Sequence, residues 1–232
     1  LFRNFMGFDR NWLEEFGSDD SNGRTLWSLG TVVRDSDDPA IRRWARGLFE
    51  EALPLAERLS SPRSIAFATL GMAALVEAEP DHRRCRDMLA ENCALFEDLL
   101  SRFRRPDWSW FEAVLSYDHA RLRQALMEAA RVTGNHGAMA TALETLEWIT
   151  DVQTASDGHF RAVGTESFGL IYSTPKPFDQ QPLEATATVD ACASAWHISG
   201  DARWLRHARA ALAWFEGEND LGMPLADTRT GK

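Results

Sequence analysis

Apolar residues recur three and four positions apart along most of the chain, the period of a helix that buries one face, and not the alternation of a strand. Eight helices are predicted, near 22–34, 39–58, 62–78, 81–103, 118–133, 136–155, 182–199 and 201–217, falling into four hairpins of an all-α protein. The boundaries have local causes. Ser21 is a cap for the helix carrying Leu26, Trp27 and Leu29, and Pro39 and Pro62, after Asp38 and Ser61, suit a first turn where a missing N–H is harmless. Gly30, Gly71, Gly134 and Gly200 are expected to end or kink the first helix of each pair.

A weak internal repeat supports the hairpins. Thr133-Gly134-Asn135 and Ser199-Gly200-Asp201 each open an Ala/Leu-rich helix with a Trp fourteen positions after the Gly, at Trp148 and Trp214. Upstream, Asp118 and Glu184 each precede their Gly by sixteen residues, which puts two acids at equivalent starts of equivalent helices. Repeated hairpins build either an open solenoid or a ring of inner helices surrounded by outer ones. Long segments rich in Trp, Tyr, Asp, Asn and His precede the first helix of three pairs: Phe8 to Ser21, Arg105 to Asp118 and Asp157 to Gln181. Their convergence on one mouth favours an (α/α)6-type toroid with a single pocket. Four hairpins are visible, so the ring is incomplete in this chain or its remaining helices lie outside it. Residues 158–178, with three Gly and two Pro, are expected to be irregular or a short β-hairpin over that mouth.

Composition narrows the function classes. The 232 residues, 44% hydrophobic and 26% charged, suit one soluble domain spanning 1–232, and a chain this long buries about 70% of its unfolded surface without metal or disulfide support. No run reaches the roughly 18 apolar residues of a membrane span, and the opening Leu1 to Met6 lacks a signal-peptide profile, so a membrane partner is not expected. A net charge of −10 argues against nucleic acid, whose binding needs clustered Lys and Arg. Cys85, Cys93 and Cys192 lack metal-knuckle spacing and read as buried thiols of a reducing, cytoplasmic compartment; neither metal nor cofactor is expected.

Four constellations carry candidate chemistry. Gly17 to Arg24 sets Asp19 and Asp20 at a helix start with Arg24 four residues on, able to pair with one carboxylate and leave the other for a ligand; a cap with a structural ion pair is the alternative. Trp108 to Glu112 followed by Tyr117, Asp118, His119 and Arg121 joins aromatic faces to charged groups, the mixture that binds sugars, with Asp118 as helix cap; core tryptophans beside a cap are the alternative. Phe178 to Ala185 places Asp179, Gln180 and Gln181 in a loop, Pro182 on the first helical position and Glu184 on the first turn, four polar groups with no evident packing purpose. Glu218 to Asp227, with Asp220, forms a return loop whose match in the repeat is Asp157 to Phe160, with His159. Phosphate loops, nucleophile elbows and paired-His motifs are missing from the sequence.

The run Arg3-Asn4-Phe5-Met6, Asp9-Arg10, Trp12, Gly17 to Ser21, Gly23-Arg24, Leu26-Trp27, Leu29-Gly30, with Ser60 to Arg63, Tyr117-Asp118, Ala120 to Leu122, Asp157 to Phe160, Phe178 to Pro182, Glu184-Ala185 and Asn219 to Gly222, resembles the helical (α/α)6 domain of bacterial proteins classed as glycosyltransferases and often encoded near mannoside-processing enzymes. The resemblance covers almost the whole chain and implies cytoplasmic carbohydrate metabolism, with a glycosyltransferase domain as a partner. The family continues beyond 225–231 into further helices.

These readings converge on a pocket that binds or processes a mannose- or glucose-type oligosaccharide. Glycosidic chemistry needs one acid and one carboxylate. Glu184, kept protonated by Leu183 and Ala185, is the expected acid and Asp118 the base or nucleophile, with Asp20 and Asp179 as substitutes. Asp19, Arg24, Trp110, Tyr117, His119, Arg121, His159, Gln180, Gln181 and Asp220 would orient the sugar. A non-catalytic sugar-binding helper and a helical-repeat protein scaffold are the rival expectations; sugar epimerisation would rely on His119 and His159.

Overall fold

A computed structural model describes residues 2–225, 227, 229 and 230. Among them are eight α-helices: α1 (Asp19–Asp35), α2 (Pro39–Ala56), α3 (Pro62–Ala78), α4 (Arg83–Phe103), α5 (Arg121–Thr133), α6 (His136–Val152), α7 (Pro182–Ser199) and α8 (Ala202–Glu216). Pairing outside the helices is limited, among the described residues, to isolated bridges, and residues 158–178 are irregular with one 3-10 turn at Thr165–Ser167. No helix among the described residues is long and apolar enough to cross a membrane. The chain divides into two compact units, Leu1–Phe96 with Glu128–Ala138, and Glu97–Met127 with Met139–Lys232.

In the first unit, α1 begins three residues earlier than the pattern suggests. Ser18, not Ser21, is the cap: its hydroxyl accepts the Ser21 N–H at 3.1 Å, because the polar Asp19-Asp20 pair suits a first turn as well as a loop. Gly30 and Gly71 do not end their helices. They lie inside α1 and α3, where a methyl on Gly30 would stand 2.0 Å from the Gly71 carbonyl oxygen and one on Gly71 would stand 2.3 Å from that of Leu26. Gly23, seven residues before Gly30, meets the Ser64 carbonyl in the same way. Small residues two turns apart thus let the two backbones touch on that face of α3, which is buried at every position from Ala66 to Val76. Trp27 stacks on Phe67 beside this crossing, and Asn92 of α4 donates to Thr69 at 2.8 Å.

In the second unit Gly200 does end α7, with φ 70° and an N–H returned to Trp196 O at 2.8 Å. Gly134, also left-handed at φ 74°, follows α5 in the first unit. The repeated tryptophans play matching parts: Trp148 on α6 donates its indole N–H to Asp107 O at 3.2 Å, and Trp214 on α8 donates to Gln180 Oε1 at 2.8 Å. Each second helix therefore holds the segment that precedes its pair's first helix. Phe160, Ala162, Ala185, Ala211 and Trp214 form a buried cluster beneath the Gln180 loop, flanked by Val189 and Phe215.

The segments 105–118 and 157–181 also meet. Gly169 N donates to Leu115 O at 2.9 Å and Tyr172 N to Ala113 O at 2.8 Å, while Trp108 sets its ring edge-on to Tyr172. Gly164 is required where this segment turns: a methyl there would stand 2.1 Å from Phe178 O. With that approach open, Thr165 N reaches Asp179 O at 2.9 Å and the loop carrying Asp179 is held from both sides.

Candidate functional site

The expected catalytic pair is brought together, in an unexpected way. α5 starts at Arg121, so Asp118 precedes the helix instead of capping it, and adopts φ 57°, a left-handed conformation that Asp tolerates better than most residues. This turn aims two consecutive backbone N–H groups at Glu184: Asp118 N lies 2.5 Å from Oε1 and His119 N 3.1 Å from Oε2. His119 Nδ1 reaches the same Oε2 at 2.6 Å. All three residues are 0% exposed. Burial pushes the Glu184 carboxyl up, but the His119 charge and the hydrogen bonds from His119 and Asp118 outweigh it and hold it below the ordinary carboxylate range. Glu184 is therefore an ionised acceptor, not an acid kept protonated by its apolar sequence neighbours, and Nδ1 of His119 is the donor between them.

Asp118 completes this buried cluster from its own side chain. Its Oδ1 accepts from Arg121 Nε at 3.2 Å, and Arg121 Nη1 continues to Gln124 Oε1 at 2.6 Å and to Asp190 Oδ2 on α7 at 2.9 Å. Trp110, with 0% exposure, packs against His119 and Phe111 and donates its indole to Val114 O, so its faces are spent inside the protein. Tyr117 is half-buried next to this turn. Asp118, His119, Arg121, Trp110 and Glu184 thus tie the start of α5 to the start of α7.

A second group of expected residues lines an open pocket of about 270 Å³, walled by Phe178, Asp179, Gln180, Trp214, Asn219 and Asp220 among others. Its orientation is enforced by a chain of hydrogen bonds. Because Trp214 donates to Gln180 Oε1, the amide must turn its Nε2 outward, and it donates to Asp220 Oδ2 at 2.6 Å. Arg161 clamps the same carboxylate through Nε at 2.8 and 3.1 Å and through Nη2. His159 brings Nε2 within 3.3 Å of Asp220 Oδ1 and holds Asp157 through Nδ1 at 2.6 Å. Burial pushes the Asp220 carboxyl up, yet Arg161, Gln180 and the His159 charge hold it below the usual range. Asp179 is exposed beside Phe178, which is 48% exposed. Gln181 caps α7 by position and is exposed.

The two loops matched in the repeat share one cavity: Asp157, Gly158 and His159 face Glu218 and Asn219 around about 390 Å³ adjoining the pocket above, with Asn219 common to both. Arg161 lies outside the candidate residues of the sequence; its spacing from Asp157 and His159 within one loop is the signal that points to it. In the first unit, Arg24 Nε pairs with Asp20 Oδ2 at 2.8 Å as its spacing suggests. Asp19 is not left open: its Oδ2 accepts from Ser60 N and Ser60 Oγ, both at 2.9 Å.

No family model and no curated protein sequence matches the chain.

Proposed function

We propose that this protein binds a neutral mannose- or glucose-type oligosaccharide in the pocket of the second unit, with Phe178 against the apolar C–H face of a sugar ring and Asp179, Asp220 and Gln180 on its hydroxyls. The observation that carries this reading is the Trp214–Gln180–Asp220–Arg161 chain, which fixes a carboxylate and an amide on the wall of a pocket that also has an exposed aromatic lip. Aromatic faces supplemented by a few fixed polar groups are what sugar recognition requires. The setting implied by the sequence resemblance, cytoplasmic and beside a glycosyltransferase domain, and the toroidal arrangement of the hairpins belong to the same proposal.

A second reading, glycosidic catalysis, rests on one observation: Asp179 and Asp220 line the same pocket. Asp220, ionised and clamped, suits the base or nucleophile, and Asp179 the acid. In this reading the pair replaces Glu184 and Asp118, whose carboxylates have no exposed surface.

Calorimetric titration with mannose and glucose oligosaccharides tests both. Saturable binding that Phe178→Ala and Asp179→Asn each weaken at least tenfold, about 1.4 kcal/mol, is expected. Glycan binding indifferent to both changes, or no binding to any member of the panel, overturns the proposal. Product release from a bound oligosaccharide, lost in Asp179→Asn, separates catalysis from binding.

A further inference from the structure

In the first unit α2 buries Ala45, Phe49, Ala52 and Leu53. At about 100° of rotation per residue, the side opposite that core face is centred on Gly47. A glycine inside a helix weakens it, and the chain's own packing gives no reason for this one. A methyl on Gly47 would meet nothing within 4 Å, whereas those on Gly23, Gly30 and Gly71 would meet backbone carbonyls. Trp44 is 62% and Ile41 47% exposed, and Leu48 and Leu55 are half-buried. These four follow one another at intervals of three, four and seven residues, an apolar strip along one flank of Gly47. Arg43 and Glu51, each four residues from Gly47, are exposed on its own row. Arg46 and Glu50 of the same helix pair with each other and with Glu79 and His82, but no ion pair among the described residues involves Arg43 or Glu51.

We infer that this face joins two copies of the chain, α2 against α2 in antiparallel, with the twofold axis at Gly47. The occupant follows from the charges. A twofold reverses chain direction, so residues equally far before and after Gly47 come level: Arg43 stands beside Glu51 of the second copy, and Glu51 beside its Arg43. Both charges are then compensated. A parallel pairing would set Arg43 on Arg43, and an acidic or a basic partner would leave one of the two charges opposed. The same operation keeps both apolar flanks on one side of the crossing. There Trp44 lies within a turn of Leu48 of the second copy, and Ile41 within a turn of its Leu55. Gly47 lets the two backbones approach at the axis, as Gly30 and Gly71 do where α1 crosses α3. One helix face per copy is a small interface, below about 1,200 Å², so the dimer forms and dissociates with concentration. No residue of the pocket in the second unit takes part.

Sedimentation velocity of the full chain over a concentration series tests this. The wild type is expected to pass from monomer to dimer as concentration rises. Arg43→Glu and Glu51→Arg, which bring like charges level, should each weaken self-association at least about tenfold. An equimolar mixture of the two variants, or the chain carrying both changes, should restore it, because every contact again joins opposite charges. Gly47→Leu should abolish the dimer by blocking the axis. All three positions are exposed, and Leu is the better helix former, so the urea midpoint of Gly47→Leu should equal or exceed that of wild type; loss of the dimer is then not loss of the fold. A wild-type chain that stays monomeric up to its solubility limit overturns the inference. So does a dimer that survives Gly47→Leu, or one that the charge-reversed mixture fails to restore, since the two copies would then meet through another face.

Discussion

Glu184→Gln separates a structural carboxylate from a catalytic one. In the native protein both oxygens accept, from Asp118 N, His119 N and His119 Nδ1, and all of these groups are buried. Glutamine keeps one acceptor and replaces the other with an N–H pair. Whichever way the amide turns, an NH2 faces a donor: either the Asp118 N–H, or both donors of His119. At least one buried donor loses its partner, a loss of about 1–3 kcal/mol, and the charge facing His119 also disappears. Breaking a buried pair by removing one partner typically lowers stability by about 3–5 kcal/mol. The expected destabilisation is therefore about 3 kcal/mol at neutral pH, within the roughly 5–15 kcal/mol of a typical domain, so the variant folds with a shifted urea midpoint.

The pH dependence gives an independent check. Because the folded Glu184 carboxyl is held below its unfolded value, its contribution is complete above the unfolded carboxylate pKa and is lost as pH falls through the folded one. The difference between wild type and Glu184→Gln should shrink steadily on acidification. Urea unfolding followed by circular dichroism at neutral pH and at decreasing pH measures both quantities. A variant within about 0.5 kcal/mol of wild type, or a difference that stays constant into acid, would refute the assignment of Glu184 to the tie between α5 and α7.

Gly30→Ala should destabilise the first unit by about 1–3 kcal/mol or more, since the added methyl meets the Gly71 backbone and no flexible side chain can yield; a urea midpoint equal to wild type would contradict the backbone contact. Gly200→Ala meets nothing within 4 Å, so its cost is conformational only, about 1–2 kcal/mol for a left-handed Ala, and Gly200→Asn should recover part of it in the same assay. Cys85 and Cys192 are buried, with thiols pushed up by burial to about 12, and should resist iodoacetamide at pH 8 in the native protein but react at the rate of unfolding in urea; rapid native alkylation would contradict their burial. Asp38→Ala removes the side-chain cap that accepts the Ala40 N–H at 2.7 Å and should lower stability by about 1 kcal/mol, measured by the same unfolding.

The helices were legible because their causes are local. Pro39, Pro62 and Pro182 stand on first turns and Gly200 on a left-handed cap, and each acts through its own backbone. The role of Gly30 and Gly71 is not legible in the sequence, because a glycine that ends a helix and one that admits a neighbouring helix look identical in one dimension. The distinction lies in what approaches, the Gly71 and Leu26 carbonyls, and those are distant in sequence. The seven-residue interval from Gly23 to Gly30, repeated from Ser64 to Gly71, is the trace that such a crossing leaves.

The same limit explains the candidate site. Asp118 and Glu184 were linked by their common offset from Gly134 and Gly200, and they do meet, but equivalence in a repeat carries no information on which atom of one reaches the other. The contact is made by the backbone of Asp118, freed by its left-handed φ, and the side chain turns to Arg121 instead. The loop residues Asp179 and Gln180 were recognised because polar groups before an apolar helix lacked a packing role. What gives Gln180 one geometry is Trp214, which the sequence marks only as a repeated aromatic. By the same logic Trp148 should position Asp107 as Trp214 positions Gln180. Because Trp148 reaches only a backbone carbonyl there, the first hairpin of the pair keeps the scaffold, while the second adds an oriented amide and, through it, a fixed carboxylate.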